Sequence, residues 1–173
     1  MDKYLNTPVS HEDILGLTAG DMVYLTGDVY TARDAAHKRM IEMTERGEDM
    51  PFSFEGQVVY YAGPCPAKPG QVIGSVGPTT SGRMDKYSPE LIKNGLRLMI
   101  GKGLRSQEVA TAIKEHEGVY FIAVGGAAAY IARCVKSSET IAFDDLGTEA
   151  IRKLGVENFP VIVAIDKDGN SIL

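Results

Sequence analysis

Hydrophobic and polar positions along the chain follow different periods, and each change of period predicts a new element. Residues 22–30 (MVYLTGDVY) are β-branched and aromatic with partial alternation, a pattern typical of a strand. Thr31, with Asp34 three positions later, matches a capping box and predicts a helix over residues 32–46, with Gly47 at its end. Residues 22–46 are therefore predicted to form a strand followed by a helix.

The rest of the chain repeats this change from strand to helix. Apolar or alternating runs predict strands over residues 57–62, 71–76, 119–124 and 161–166, and a short last strand after an Asp168–Gly169 turn. Helical spacing predicts a helix from Ser88 that includes Ile92, Leu96 and Met99, and further helices over residues 106–117, after Gly125 and near residues 147–153. Because strands and helices alternate, we predict a single α/β domain over residues 1–173, with a mixed sheet and flanking helices.

Composition narrows the class of protein. Apolar residues make up 44% and charged residues 24% of the chain, as in an average globular protein. Lys and Arg number 18 against 23 Asp and Glu, so the net charge of −5 argues against nucleic acid as a partner. No apolar run approaches the 18 residues of a membrane span. The polar start has no signal-peptide core, so we expect a cytoplasmic location.

The metal-ligating residue types are few. Cys65 and Cys134 are 69 positions apart with no C-x-x-C motif, and the three histidines show no metal-ligand spacing. Two cysteines cannot hold a four-cysteine iron–sulfur cluster or a structural zinc ion. We expect free thiols and no metal site in this chain, so any metal must come from elsewhere.

Arg33 is the first candidate for chemistry, because it falls in the first turn of the predicted helix. The helix dipole disfavours a cation there, and a bound carboxylate would remove that penalty. The alternative is that Arg33 pairs with Asp34 or lies in solvent. His37, one turn further on, faces the same side of the helix, and it could equally be a packed or surface histidine.

The second candidate is the polar segment GPTTSGRMD at residues 77–85, which follows a predicted strand. Its reactive members are Thr79, Thr80, Ser81, Arg83 and Asp85. Ligands of α/β sheets bind at the carboxyl ends of strands, and hydroxyls with an arginine suit a small oxyanion. A plain polar loop is the alternative. The segment does not match a phosphate-binding P-loop.

Lys102, between Gly101 and Gly103, is the third candidate. A lysine at a helix end is partly explained by the helix dipole, and the bare backbone around it would present an ammonium to an anion. The VGGAAA string at residues 124–129 lacks the G-x-G-x-x-G spacing of a dinucleotide loop, so we assign it to close helix–sheet packing.

Taken together, several strings resemble one family. They are TARDAAHKRM, YYAGPCPAKPGQVIGSVGPTTSGRMD, IGKG, VGGAAA and VENFPVIVAIDKDGN. In this order they are similar to the β subunit, or C-terminal domain, of class I iron–sulfur fumarate hydratases, and the β subunit of L(+)-tartrate dehydratase is closely similar. The resemblance extends from about residue 5 to residue 173.

The resemblance implies a swivelling β/β/α domain and half of an enzyme. The partner, an α subunit, would carry an oxygen-sensitive [4Fe–4S] cluster on three cysteines, with no cofactor bound by this chain and a hetero-oligomer such as (αβ)₂ as the assembly. The implied reaction is the reversible hydration of fumarate, a small dicarboxylate, to (S)-malate. Two alternatives stay open: dehydration of L(+)-tartrate to oxaloacetate, and a non-catalytic anion-binding module of the same fold.

The resemblance also implies roles for the candidate residues. Arg33, Ser81, Arg83 and Lys102 would bind the substrate, and Arg83 and Lys102 would also belong to the catalytic set. Thr79, together with Thr80, would supply the proton-transfer hydroxyl, which a neighbouring charge or an acid of the partner must activate.

Two further residues are expected to support this set. Asp85 would orient Arg83, and His37 would stand behind the residues that bind the substrate. No residue of the chain is assigned to a metal.

Overall fold

The computed structural model describes residues 2–124 and 128–173. The strands are β1 (Asp2–Asn6), β2 (Met22–Thr31), β3 (Val58–Tyr60), β4 (Leu98–Gly101), β5 (Val119–Ala123), β6 (Val135–Ala142) and β7 (Ile151–Ile165). The α-helices are α1 (His11–Leu15), α2 (Asp34–Glu45), α3 (Ser88–Lys93), α4 (Gln107–His116) and α5 (Ala128–Cys134). Short 3₁₀ helices cover Ser81–Met84 and Asp144–Glu149. The predicted mixed sheet with flanking helices is confirmed.

The seven strands form one sheet that curls onto itself. Strands β1 to β5 pair in parallel in chain order. The long strand β7 runs antiparallel to β2, β5 and β6. Because β7 pairs with both β2 and β5, the strands β2, β3, β4, β5 and β7 close a ring, which places the carboxyl ends of β2, β3 and β4 side by side.

Apolar side chains fill two regions separated by this sheet. One buried cluster takes residues from all five strands of the ring, among them Tyr60 and Phe121. The other lies between the sheet and helices α2, α3 and α4 and includes Val59 and Met40. Since neighbours in a strand point to opposite faces, Val59 and Tyr60 belong to different clusters. Both faces of β3 are thus buried, and its carboxyl end is what remains available for a site.

Most predicted elements are confirmed, but in the middle of the chain one predicted strand is absent and one predicted helix is too long. No strand covers residues 71–76, where the loop folds back so that the Gly74 N–H donates to the Cys65 carbonyl oxygen at 3.2 Å. The helix from Ser88 ends at Lys93, because Gly95 takes a φ of +117° that interrupts the helix. Residues 98–101 are strand β4 instead.

The end of the chain also differs from the prediction. The prediction of a helix near residues 147–153 is wrong, because strand β7 begins at Ile151. The strand then runs to Ile165, through most of the predicted strand 161–166. Ile151 and Leu154 are buried at a spacing that imitates a helix. The last strand is reduced to one bridge between Ile165 and Ser171. The turn expected after residue 124 falls on residues 125–127, which lie outside the described residues.

Within the described ranges, no helix is both long enough and apolar enough to cross a membrane. The two cysteines are free thiols, as expected, with Cys65 exposed and Cys134 half-buried.

Candidate functional site

The predicted residues meet at the carboxyl ends of β2, β3 and β4. The Thr79 N–H donates to the carbonyl oxygen of Tyr61, directly after β3, at 2.7 Å. Thr80 forms a parallel bridge with Lys102, directly after β4. Segment 77–85 therefore lies at the carboxyl ends of β3 and β4, although no strand covers residues 71–76 directly before it.

A cavity of about 470 Å³ opens beside this segment, lined in part by Gly77, Pro78, Lys102 and Ile122. A larger cavity of about 620 Å³ lies near Pro8 and contains none of the predicted site residues. Among the predicted site residues, Lys102 alone lines the cavity beside segment 77–85.

Arg33 stands at the start of α2, but the capping prediction there is wrong. Thr31 is still part of β2, where its Oγ1 accepts a hydrogen bond from the Arg152 N–H at 3.2 Å. Arg33 occupies the N-cap position without a side-chain capping bond. Instead Glu149 reaches the helix, and its Oε1 accepts from the Ala35 N–H at 3.0 Å. A carboxylate of the chain itself thus uses one of the free helix N–H groups.

Arg33 and Arg83 are held next to each other by Asp34. The Arg83 Nε donates to Asp34 Oδ2 at 2.9 Å, and the Arg33 Nε lies 3.9 Å from Asp34 Oδ1. The Arg33 side chain rests against Gly63, where a Cβ would come within 2.9 Å of Arg33 Cδ. Arg83 remains 54% exposed. The Asp34 carboxylate therefore hydrogen-bonds Arg83 and lies within ion-pair distance of Arg33, whose Nε has no hydrogen-bond partner.

The orienting role predicted for Asp85 is corrected by these contacts. Asp34, and not Asp85, binds Arg83. Asp85 faces inward, where its Oδ1 accepts from Arg105 Nε at 2.8 Å and its Oδ2 accepts from the Ser106 N–H at 2.7 Å. Asp85 anchors the end of segment 77–85 to the start of α4.

Lys102 is exposed, and no carboxylate of the described residues forms an ion pair with its ammonium group. Its backbone is fixed on both sides, because the Lys102 N–H donates to Ser81 Oγ at 2.9 Å and the Ser81 N–H donates to the Lys102 carbonyl oxygen at 2.9 Å. A Cβ on Gly101 would overlap Ser81 Oγ and lie 2.8 Å from Tyr61 Cδ2. Glycine at position 101 is what allows this close approach.

Ser81 makes structural contacts in this position, and its substrate-binding role stays a prediction. The side chain is fully buried. Its Oγ lies 2.7 Å from the Tyr120 hydroxyl, which also donates to the Gly103 carbonyl oxygen at 2.9 Å. Burial raises the pKa of Tyr120 to about 12, so that hydroxyl keeps its proton. Ser81 is a structural link between the threonine segment and Lys102.

Thr79 and Thr80 lie on the accessible side of the same segment. Thr79 is half-buried and Thr80 is exposed. Their backbone groups are held by Tyr61 and by the bridge to Lys102, as described above. Their proton-transfer role stays a prediction, which the arrangement of the backbone supports.

His37 lies behind the site, fully buried. Its Nδ1 is 2.8 Å from the Arg33 carbonyl oxygen, so Nδ1 carries the proton, and its ring stands edge-on to Tyr61 at 5.3 Å. The pKa of His37 is lowered to about 4, mainly by burial. The charge of Arg105 contributes to the lowering, and the hydrogen bond to the Arg33 carbonyl oxygen opposes it. The neutral imidazole fixes the backbone of Arg33.

Arg105 was not among the predicted site residues, and its side chain is fully buried. Its Nη2 donates to Ser88 Oγ at 2.9 Å and to the Tyr61 hydroxyl at 3.2 Å, and the guanidinium lies 4.7 Å from the centre of the Tyr120 ring. An arginine directly before a capping serine reads as a surface residue. Arg105 is buried only because Asp85, Ser88 and Tyr120, which are distant in sequence, pack around it in the fold.

The fold and site together define a mixed α/β chain that presents three cations and two hydroxyl groups at one edge of its sheet. Residues 2–173 match the model of the family described as Fumarase C-terminus. The chain belongs to this family.

Relatives of known name agree with this membership. The "Putative L(+)-tartrate dehydratase subunit beta" of Methanocaldococcus jannaschii is 41% identical over 176 residues, covering 98% of this chain and 90% of that protein. Fumarate hydratase class I, aerobic, of Salmonella typhimurium is 39% identical over 170 residues, covering 96% of this chain and 29% of that protein. Fumarate hydratase 2 of Leishmania major is 40% identical over 156 residues, covering 88% and 27%. By their names these relatives are hydro-lyases, and the chain is either nearly as long as the relative or less than a third of it.

Proposed function

We propose that this chain is the β subunit of a hydro-lyase that reversibly hydrates fumarate to (S)-malate at an interface with an α subunit. The observation that carries the proposal is the joint placement of Arg33 and Arg83 on Asp34, beside a threonine segment locked to Lys102. A dicarboxylate needs cationic groups at both ends, and these residues offer three.

The proposed chemistry adds a water oxygen to one carbon of the double bond and a proton to the other. Arg33, Arg83 and Lys102 hold the two carboxylates, which fixes the carbons relative to segment 77–85. Thr79 is the proposed proton-transfer group, with Thr80 beside it. An isolated hydroxyl is a weak acid and base, so the cation of Lys102 would stabilise the charge that develops on it.

The cluster is proposed to belong to the partner. Its assembly needs at least three thiolates, and the two cysteines of this chain, 69 positions apart, do not fit that donor set. The described residues also include no group of three or more His, Cys, Asp or Glu side chains placed to hold a metal. We therefore assign a [4Fe–4S] cluster to the α subunit and no ligand of that cluster to this chain.

The swivelling β/β/α domain, the single-domain organisation, the (αβ)₂ assembly and the cytoplasmic location belong to the same proposal. The closed ring of five strands, with α2, α3 and α4 packed on one face of the sheet, supports the first two. The word "beta" in the name of the Methanocaldococcus jannaschii relative, which is about the length of this chain, supports a separate partner subunit.

Dehydration of L(+)-tartrate to oxaloacetate is a second candidate, and one observation favours it. The relative whose length this chain nearly matches carries tartrate dehydratase in its name. Tartrate is also a dicarboxylate, so the same three cations would bind it. Turnover of each substrate by the assembled enzyme separates the two candidates.

Arg83→Ala tests the carboxylate-binding role. Because a charge-assisted hydrogen bond contributes about 1.5–3 kcal/mol, we expect kcat/KM for fumarate to fall roughly 10–100-fold in the assembled enzyme. Arg46→Ala is the matched control, since Arg46 is 56% exposed and binds Glu48 through its Nε at 2.8 Å. A near-normal kcat/KM in Arg83→Ala would remove this residue from the substrate site.

Thr79→Ala tests the proton-transfer role. Loss of a general acid–base group reduces turnover by about 10²–10⁴-fold. We expect that loss in kcat, unchanged binding of a non-reacting dicarboxylate, and partial recovery in Thr79→Ser. Full turnover in Thr79→Ala would assign the proton transfer to another group.

A further inference from the structure

We propose that Arg105 is a positioning residue, which fixes segment 77–85 against Lys102 and so sets the placement of Thr79 relative to the substrate cations. This inference rests on the proposed function for its kinetic effect. Its structural part, the control of Lys102 by Arg105, holds for the chain whatever the substrate is. The Arg105 side chain is fully buried, so we propose that it acts through the residues it contacts.

The first connection runs from Arg105 through Asp85. The Arg105 Nε donates to Asp85 Oδ1 at 2.8 Å, and Asp85 Oδ2 also accepts from the Ser106 N–H at 2.7 Å. The Arg105 Nη2 donates to Ser88 Oγ, which in turn donates to the Met84 carbonyl oxygen at 3.0 Å. The carboxyl end of segment 77–85 is thereby tied to the starts of α3 and α4.

The second connection runs through Tyr120. The Arg105 guanidinium lies 4.7 Å from the centre of the Tyr120 ring, a cation–π distance. The hydroxyl of that ring lies 2.7 Å from Ser81 Oγ and donates to the Gly103 carbonyl oxygen. Ser81 Oγ accepts the Lys102 N–H. Through one aromatic ring, Arg105 holds the backbone on both sides of Lys102.

The cation at this position has an energetic penalty that packing alone does not explain. Burial of a guanidinium is unfavourable, and one nitrogen of Arg105, Nη1, has no hydrogen-bond partner. Burial alone would lower the pKa of Arg105, but Tyr61 and Asp85 raise it above its usual value, so the charge is kept. An apolar residue of similar volume would avoid this penalty. The guanidinium group instead hydrogen-bonds three side chains at once, those of Asp85, Ser88 and Tyr61.

The kinetic test uses two variants in the assembled enzyme. Arg105→Lys keeps the charge but loses the fork, and Tyr120→Phe keeps the ring but loses the hydroxyl at Ser81. Since small misplacements reduce rates strongly, we expect kcat per folded complex to fall about 10–100-fold, with KM changed by less than about threefold because Arg33 and Arg83 stay on Asp34. Arg46→Lys is the control and should match the wild type.

A second measurement does not depend on activity. In the full chain, amide hydrogen exchange at Lys102 and Ser106 should be at least about tenfold faster in Arg105→Lys, with the amides of β2 unchanged. Faster exchange at Lys102 and Ser106 alone supports the role of Arg105 even if the wild type does not turn over fumarate. The absence of turnover would overturn only the proposed function. Exchange at Lys102 that equals the wild type, or kcat that equals the wild type in an active enzyme, would overturn the role of Arg105.

Discussion

The buried imidazole of His37 makes stability depend on pH in a defined window. Its pKa is about 4 in the folded chain, against about 6.5 in an unfolded chain. Above pH 6.5 both states hold a neutral ring; between pH 6.5 and 4 only the unfolded state takes up the proton, so stability falls as the pH falls. At about 1.4 kcal/mol per pKa unit, the loss is roughly 3 kcal/mol.

Urea unfolding of the wild type and His37→Gln at pH 7.5 and 4.5 measures this effect. We expect the wild type to lose about 2–3 kcal/mol more than the variant between the two values. His11→Gln is the control, because the His11 side chain is 65% exposed. An equal loss in wild type and His37→Gln would show that His37 is not kept neutral by burial.

Gly101 is a single residue on which the site geometry depends. A Cβ there would overlap Ser81 Oγ, and Ser81 cannot withdraw without releasing Lys102. We expect Gly101→Ala to lower the free energy of unfolding by about 1–3 kcal/mol and to reduce kcat, as overpacking does. Gly16→Ala, where the nearest atom to a Cβ would be 3.5 Å away, should change neither. Thermal unfolding and fumarate kinetics measure both effects.

At the scale of elements, α2 is capped from outside its own sequence. Glu149 Oε1 accepts from the Ala35 N–H, next to the cation of Arg33. Loss of such a cap costs about 1 kcal/mol, so Glu149→Ala should lower the free energy of unfolding by about that amount. Glu45→Ala, at the exposed end of the same helix, should have little effect. Equal stability of Glu149→Ala and wild type in urea would contradict the capping role.

Elements defined by local signals could be predicted from the sequence, and those defined by distant partners could not. Helix α4 carries its signal locally, because Ser106 Oγ accepts from the Val109 N–H at 3.3 Å. The first half of strand β7 carries none, since it is a strand only because β2 and β6 lie on its two edges. The same holds for β4, which an apolar spacing of three and four residues made look helical.

The candidate site follows the same division. Arg33, Arg83, Lys102 and the two threonines could be chosen from their residue types and from the resemblance. Which carboxylate holds which arginine could not, because Asp34 and Arg83 are 49 positions apart and meet only through the sheet. For the same reason Asp85 was given to the wrong arginine and Arg105 was missed.

At the scale of the whole molecule, the ring of strands brings three loops to one edge. The loops after β2, β3 and β4 carry Arg33, segment 77–85 and Lys102. These loops present cations and hydroxyls, and we propose that they form one side of a site whose cluster thiolates come from elsewhere. In the Salmonella typhimurium and Leishmania major relatives, the match to this chain covers 29% and 27% of their own length.

We propose above that this chain supplies half of a hydro-lyase. Anaerobic fumarate hydration by the chain alone, and by the chain mixed with a cluster-loaded α partner, tests this proposal most directly. We expect no turnover by the chain alone and formation of (S)-malate by the mixture. A stable, cluster-containing complex that leaves fumarate unchanged, or turnover by the isolated chain, would contradict it.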